Sequence, residues 1–279
     1  MNYRGRIAPT PSGFLHVGHA YTFGIAAKRA AGELVFRVDD LDSTRCTDEY
    51  TEAAIEDLRW LGLSWAQGPD CGGRTGPYFQ SQRTGLYQQA WQQLAARRMI
   101  YPSPHSRRDV NEATLAPHAS VGGEALFPVE LRPNDWTVPA SPDRIPWRFR
   151  VPDGRTVEFI DQNVGLVKQT AGVDFGDFVI WRRDNLAAYE LAVVVDDHYM
   201  EIDEVVRGKD LLISTARQIL LYEALGWKPP QFFHTNLIVG PDSKRLAKRT
   251  NGLMIRELRR KGFSPETVLS GSVEGTYSK

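Results

Sequence analysis

The sequence predicts a doubly wound α/β fold, a parallel sheet built in two halves with one loop-rich insertion between them. Three observations carry that expectation. Short apolar runs of strand length alternate with helical periodicity at both ends of the chain. Between 101 and 165 the rhythm breaks, with closely spaced prolines (Pro102, Pro104, Pro117, Pro128, Pro133, Pro139, Pro142 and Pro146 among them) and only brief apolar bursts such as Trp147 to Val151. The length, 279 residues with 42% hydrophobic and 24% charged side chains, suffices for one large domain or two intimate ones.

The elements follow in order. Residues 4 to 8 read as a short strand entering the loop Pro9-Thr10-Pro11-Ser12-Gly13, where two prolines deny backbone donors. Val17 to Ala31 reads as a helix of small and apolar residues with Gly32 at its carboxyl cap. Leu34-Val35-Phe36 and Val38 supply a buried strand. Thr47 can cap a helix with Tyr50, Ala54, Leu58 and Leu61 on one face and Gly62 as its stop, and another helix is predicted from about Gln82 to Arg97. After the insertion, Leu191 to Val195 reads as a core strand ending in Asp196-Asp197-His198. Leu211 to Leu225 reads as a helix with Ser214 as cap and Gly226 as stop, and Phe232 to Val239 as a last strand. The expected organisation is therefore a first half of the sheet over 1–100, the insertion over 101–165, a second half over 166–240 and a tail over 241–279. In such a sheet a ligand lies beyond the carboxyl ends of the strands.

Composition excludes the fibrous, disordered and disulfide-stapled classes. Two cysteines, Cys46 and Cys71, are too few for a disulfide framework or a four-cysteine zinc site, so a reducing, cytoplasmic setting is expected. No run approaches the length of a membrane span, and Met1 to Pro11 has no apolar core of a secretory signal, so no membrane partner is expected. The 34 basic and 34 acidic side chains cancel, which disfavours a polyanion binder that works by bulk charge. The cancellation hides segregation: residues 39–57 hold eight acids against Arg45, whereas 241–279 hold nine basic residues against four acids, a net charge of +5.

Two motifs carry chemistry. His16-Val17-Gly18-His19 sits where the loop after the first strand becomes a helix, and its three-residue spacing places both imidazoles on one face at a helix amino terminus. Unpaired N–H groups and the helix dipole favour an anion there, imidazole N–H can donate to phosphate oxygens, and Gly18 permits close approach. Arg245-Leu246-Ala247-Lys248-Arg249, bounded by Gly240-Pro241 and Gly252, suits a cationic clamp on phosphates. Each has a plainer reading, a packing feature and a solvated basic loop. Together they can converge on one triphosphate.

With these in view, the chain resembles the class I aminoacyl-tRNA synthetases, in their glutamate-specific group, whose catalytic domain is a Rossmann-like doubly wound sheet. Arg6 to His19 is similar to that group's opening signature with its HIGH motif, and Arg245 to Arg249 to its KMSKS loop. The runs Gly76 to Arg83, Tyr189 to His198 and Val206 to Leu211 match further signatures in the right order. The resemblance implies ATP and L-glutamate as substrates, with Mg²⁺ on the nucleotide. It implies His16, Gly18, His19, Lys244, Arg245, Lys248 and Arg249 in ATP binding, with His16, His19 and Lys248 catalytic. For glutamate it implies Arg6, Ala8, Thr10, Asp39, Tyr189 and Arg207, a guanidinium fork being a good match for the γ-carboxylate.

The chain stops thirty residues after Arg249, where a complete glutamate-specific enzyme continues into an anticodon-binding domain. Its length thus resembles the truncated branch that joins glutamate to queuosine in the anticodon of tRNA(Asp), with a short helical remnant at the carboxyl end and a monomer expected. A different acceptor for activated glutamate, or an inactive nucleotide- or tRNA-binding relative, stays open. Three departures stand out. Asp39 replaces the usual glutamate that holds the substrate ammonium, and Ala247 the usual serine. Where the family carries a zinc-binding Cys-x-Cys, the chain reads Tyr101-Pro102-Ser103-Pro104-His105, so no zinc is expected and the insertion must hold itself by packing and prolines. Asp196-Asp197-His198 could ligate a metal on chemistry alone, but a structural or acceptor-side role is the expectation.

Overall fold

The computed structural model describes residues 3–105, 120–121, 124–238 and 253–273. In chain order the elements are β1 (Gly5–Ile7), α1 (Val17–Ala30), β2 (Leu34–Phe36), α2 (Asp48–Trp60), α3 (Thr84–Ala96), β3 (Ile100–Pro102), β4 (Ser120–Val121), β5 (Glu124–Ala125) and β6 (Trp147–Phe149). They continue with β7 (Thr156–Asp161), β8 (Gly165–Thr170), β9 (Phe178–Trp181), α4 (Tyr189–Tyr199), β10 (Glu204–Gly208), α5 (Leu212–Leu225), β11 (Gln231–Thr235), α6 (Ile255–Arg260) and α7 (Pro265–Ser270). The chain divides into two compact units, one of Met1–Gln82, Tyr199–Asp210 and Pro230–Lys279, the other of Arg83–His198 and Leu211–Pro229.

In the first unit four strands form a parallel sheet in the order β2-β1-β10-β11. β1 leads outward to β2 and β10 leads the other way to β11, so the topological switch point lies between β1 and β10. Short strands with every residue of β1 and β2 buried are what a doubly covered parallel sheet requires. One core joins Ile7, Leu15, Val17, Phe36, Leu58 and Val206 to Ile255, Leu258 and Val268 of the last two helices. Close approach needs small residues: a Cβ on Gly24 of α1 would stand 2.7 Å from Leu269, and one on Gly5 3.0 Å from Ala30. α1 ends with Ala31 at φ 50°, the left-handed cap, followed by Gly32 at φ 100°, one residue earlier than the glycine signal implied. Thr47 caps α2 as expected, its hydroxyl accepting from Tyr50 N–H.

The second unit holds an antiparallel sheet β3-β6-β9, a β7-β8 hairpin with six paired residues on each strand, and the helices α3, α4 and α5. Trp147 meets Trp91 edge-on at 4.9 Å and Trp136 at 5.2 Å. Packing and prolines alone do not hold this region. Buried Asp177 accepts from the Tyr101 hydroxyl, from Arg132 Nε at 2.7 Å and Nη2 at 2.8 Å, and from Val151 N–H at 2.8 Å. Arg148 adds a bond to the Asp177 carbonyl at 3.0 Å and one to Ser103 Oγ at 3.2 Å. Burial first, and then the Asp177 charge, push the Tyr101 phenol well above its ordinary value.

One predicted strand is a helix. Residues 191–195 belong to α4, in which every residue from Glu190 to Asp197 is buried. A continuous apolar run fits a strand or an all-round buried helix equally well, and the two faces settle which. Glu190 accepts from Ser214 and Gln218 of α5 at 2.8 Å each, and Asp196 accepts from Arg83 Nε at 2.6 Å and Tyr87 OH at 3.0 Å. Ser214 does not cap α5, because the helix already begins at Leu212: Leu211 stands uncapped at the N-cap position, and the Ser214 hydroxyl donates to Glu190. Gly226 ends α5 at φ 77° as expected. His198 stacks on Trp227 at 3.9 Å, and burial lowers its pKa. Among the described residues no group of three His, Cys, Asp or Glu could hold a metal ion, and no helix is long and apolar enough to cross a membrane.

One buried charge makes the first unit pH-sensitive. Asp57 of α2 is 1% exposed, neither of its oxygens has a hydrogen-bond partner, and its nearest cation, Arg256 Nε, is 3.9 Å away. Burial pushes its carboxyl from 3.8 up to about 6, with Glu56 adding to the shift and Arg256 and Arg259 opposing it. The folded chain therefore holds this proton more tightly than the unfolded one, and stability is lost as pH rises from about 4 through about 6. Asp57→Asn should flatten that slope and raise stability at pH 8 by about 1–3 kcal/mol. Urea unfolding of both proteins at pH 4.5 and pH 8 checks this, and an equal difference at the two pH values would refute it.

Candidate active site

The loop after β1 turns into α1 through two imidazoles that cap the helix reciprocally. His16 is the N-cap residue, in extended geometry, and its Nδ1 accepts from Gly18 N–H at 3.1 Å. His19, at the third helical position, returns the contact: its Nδ1 accepts from His16 N–H at 3.2 Å. Histidines here fill the places that serine and glutamate take in an ordinary capping box. The rings lie 3.8 Å apart between centroids, tilted 33° to each other. In a neutral ring whose Nδ1 accepts, the proton sits on Nε2, so each ring carries an Nε2–H donor. α1 has no acidic residue in its first turn, so its dipole favours an anion there. Gly18 serves this turn directly, because a Cβ there would come within 3.0 Å of the His16 ring.

The backbone of this turn is tied to the start of α6. Ile255 N–H donates to Leu15 O at 2.9 Å, and Met254 bridges His16. Arg256 stacks over Phe14 at 4.1 Å, and Phe14 meets Tyr50 edge-on at 5.0 Å. Lys244, Arg245, Lys248 and Arg249 lie outside the described residues; the chain on their far side returns to the histidine turn.

At the switch point two buried arginines stand on neighbouring strands. Arg6 of β1 is 6% exposed and donates from Nη1 to Val206 O at 3.2 Å. Arg207 of β10 is 5% exposed and donates from Nε to His234 Nε2 at 3.3 Å. Ala8 is half-buried and Thr10 exposed on the loop that follows β1. Asp39 is buried in the segment beyond β2, where Arg37, fully buried, donates to it from Nε at 2.6 Å and from Nη2 at 3.4 Å. A substrate ammonium would therefore share that carboxylate with a guanidinium. Sequence reasoning missed Arg37 and His234. Arg37 was legible as the residue two before Asp39 on one face of an extended segment, whereas His234 is opposed to Arg207 only by strand register. The sixth expected glutamate contact, Tyr189, opens α4 in the second unit and is 45% exposed, so it is no core residue.

Comparison with known proteins meets this geometry. Residues 2–277 match the family model described as tRNA synthetases class I (E and Q), catalytic domain. The chain is similar to the glutamyl-Q tRNA(Asp) synthetase of Symbiobacterium thermophilum, with 44% identity over 272 residues, 95% of this chain and 84% of that one. The chain belongs to the class I tRNA synthetases of the E and Q type, in the glutamyl-Q tRNA(Asp) synthetase family. As a member of that family it is a ligase of the aminoacyl-tRNA synthetase kind. It is also similar to glutamate–tRNA ligase 2 of Syntrophus aciditrophicus, 39% identical over 277 residues, but spans only 56% of that protein. The crystal structure of glutamate-tRNA synthetase from Elizabethkingia anophelis superposes with a TM-score of 0.73 at 26% identity, covering 94% of this chain and 54% of that one. The synthetase fold is therefore the α/β fold expected, one strand having become α4.

The cap yields a test that needs no substrate. His16→Ala should destabilise the chain by about 1 kcal/mol, and His16→Asn, whose amide oxygen can take the Gly18 N–H, should recover most of that loss. Urea unfolding of the three proteins measures it, and equal losses in both variants would mean that the His16 ring does not cap α1.

Proposed function

We propose that the chain activates L-glutamate with ATP to glutamyl-adenylate and then passes the glutamyl group to queuosine in the anticodon of tRNA(Asp). The observation that carries this is the reciprocal histidine cap, with two Nε2–H donors at a helix amino terminus, on the same edge of the sheet as the buried guanidinium groups of Arg6 and Arg207. A triphosphate and an amino-acid carboxylate are the anions that such an edge would receive. The names of relatives such as that of Symbiobacterium thermophilum support queuosine as the acceptor.

In the first step an α-carboxylate oxygen of glutamate attacks the α-phosphorus, the bond to the bridging oxygen breaks, and pyrophosphate leaves with the electron pair. No side-chain nucleophile is needed, so the protein positions the reactants and meets the charge that develops. His16 and His19 donate from Nε2 to the α-phosphate side of ATP. Lys248, with Lys244, Arg245 and Arg249, meets the β- and γ-phosphates. Arg6 and Arg207 hold the glutamate carboxylate in the loop lined by Ala8 and Thr10, and Asp39 offers the ammonium a carboxylate shared with Arg37. Mg²⁺ would travel with the nucleotide, bound through phosphate oxygens and water. In the second step a hydroxyl of the acceptor attacks the activated carbonyl and AMP leaves.

The first experiment is pyrophosphate exchange with ATP and glutamate in the absence of RNA, and silence there would overturn the proposal. His16→Asn and Lys248→Ala should each lower exchange by about 10²-fold or more, and His16→Asn should do so with stability nearly intact. Labelled glutamate offered to tRNA(Asp) with and without queuosine then decides the acceptor, since equal labelling of the two would remove queuosine from the account.

A further inference from the structure

We infer that Phe14 and Asp57 compete for the guanidinium of Arg256, and that the proton on Asp57 decides which of them holds it. All three belong to the first unit: Phe14 in the turn that ends at His16, Asp57 on α2 and Arg256 on α6. Arg256 Cζ stands 4.1 Å over the centre of the Phe14 ring, and Tyr50 meets that ring edge-on at 5.0 Å. Arg256 Nε is buried without an acceptor and lies 3.9 Å from Asp57 Oδ2, while neither Asp57 oxygen has a hydrogen-bond partner. A buried donor and a buried acceptor thus stand about 1 Å too far apart for a hydrogen bond of ordinary length. Arg29 keeps both kinds of contact, 4.2 Å over Phe233 and bonded to Glu204 at 2.6 and 2.7 Å. Arg256 in its stacked position does not, because its carboxylate approaches are 3.8 Å to Glu56 and 3.9 Å to Asp57.

The charged groups that act on Asp57 are Arg256 and Arg259 from α6 and Glu56 from its own helix. Glu56 is taken by Arg259 at 2.9 Å, and Glu257 pairs with Arg260. From Pro11 to His16 the one titratable side chain is His16. A protonated Asp57 has no charge with which to draw the guanidinium, so the ring holds Arg256. Burial first of all keeps that proton in place up to about pH 6. Once it leaves, a buried carboxylate without a donor is costly, and closing on Arg256 Nε relieves the cost. The guanidinium then moves toward α2 and gives up the ring two residues before His16. The backbone bond from Ile255 N–H to Leu15 O stays in either state, so the proton sets how tightly α6 grips the histidine turn.

Nuclear magnetic resonance of the full chain reads both partners and needs no substrate, so its outcome is separate from that of the proposed reaction. The Nε–H signal missing from Arg256→Lys identifies Arg256, and the carboxyl carbon signal missing from Asp57→Asn identifies Asp57. In the wild type the two signals should move together, with one midpoint near pH 6. In D57N the Arg256 signal should stay still between pH 4.5 and pH 8. Phe14→Leu removes the ring and frees the guanidinium to close on Asp57, so the carboxyl midpoint should fall by about one pH unit, a tenfold easier ionisation. A wild-type Arg256 signal that does not follow Asp57, or one that still moves in D57N under Glu56 or His16, would overturn the inference. So would an unchanged midpoint in F14L, which would mean that Arg256 keeps both contacts at once, as Arg29 does. If F14L does not fold, the comparison of wild type with D57N decides.

Discussion

Two backbone N–H groups and two imidazole lone pairs, exchanged between His16 and His19, set the geometry on which the rest of the first unit depends. The exchange starts α1 at a fixed residue, and α1 packs across β1 and β10. It also fixes what the rings can offer, since a nitrogen that accepts from the backbone cannot hold the proton, which must stand on the outer nitrogen. Gly18 leaves room for the ring that folds over it, since a Cβ there would stand 3.0 Å from the His16 ring. The start of α6 is bound to the same turn through Leu15 and His16.

Buried cations do two kinds of work in this protein. Buried Arg83 ties α3 to α4 through Asp196, and the half-buried Arg29 of α1 grips buried Glu204 of β10 with bonds of 2.6 and 2.7 Å. Such pairs offset the desolvation of both ions only because the contact geometry is good, and losing one partner strands the other. Arg6 donates to the Val206 carbonyl, and Arg207 donates to the His234 imidazole. They stand at the point where the strand order reverses, the place where α/β sheets receive ligands.

Much of this was legible in the sequence because it is local. Thr47 and Gly226 announce helix ends through their own backbone preferences, and the signature from Arg6 to His19 sits on consecutive residues. The reading failed where the deciding partner is distant. Whether Leu191 to Val195 forms a strand or a helix depends on Arg83, Tyr87, Ser214 and Gln218, none of them near in sequence. The pairing of Arg207 with His234 spans 27 residues, and that of Tyr101 with Asp177 spans 76. Nothing in a sequence pattern says which acid will meet which base across such a gap. Asp57 misled in the same way: it belongs to a run of acids that reads as a solvated face, yet it is turned inward, 1% exposed.

The Asp177 cluster carries a consequence for the second unit. Tyr101 and Ser103 occupy the stretch where the family's pattern has a pair of zinc-binding cysteines; Tyr101 and Arg132 donate to the Asp177 carboxylate, while Ser103 accepts from Arg148, which donates to the Asp177 backbone carbonyl. A tie of this kind contains no thiolate to be oxidised and no ion to be taken by a chelator. Because Asp177 is buried, dissolved salt screens it only weakly. Redox chemistry and metal supply, which govern a thiolate-bound ion, thus have no part in this carboxylate tie.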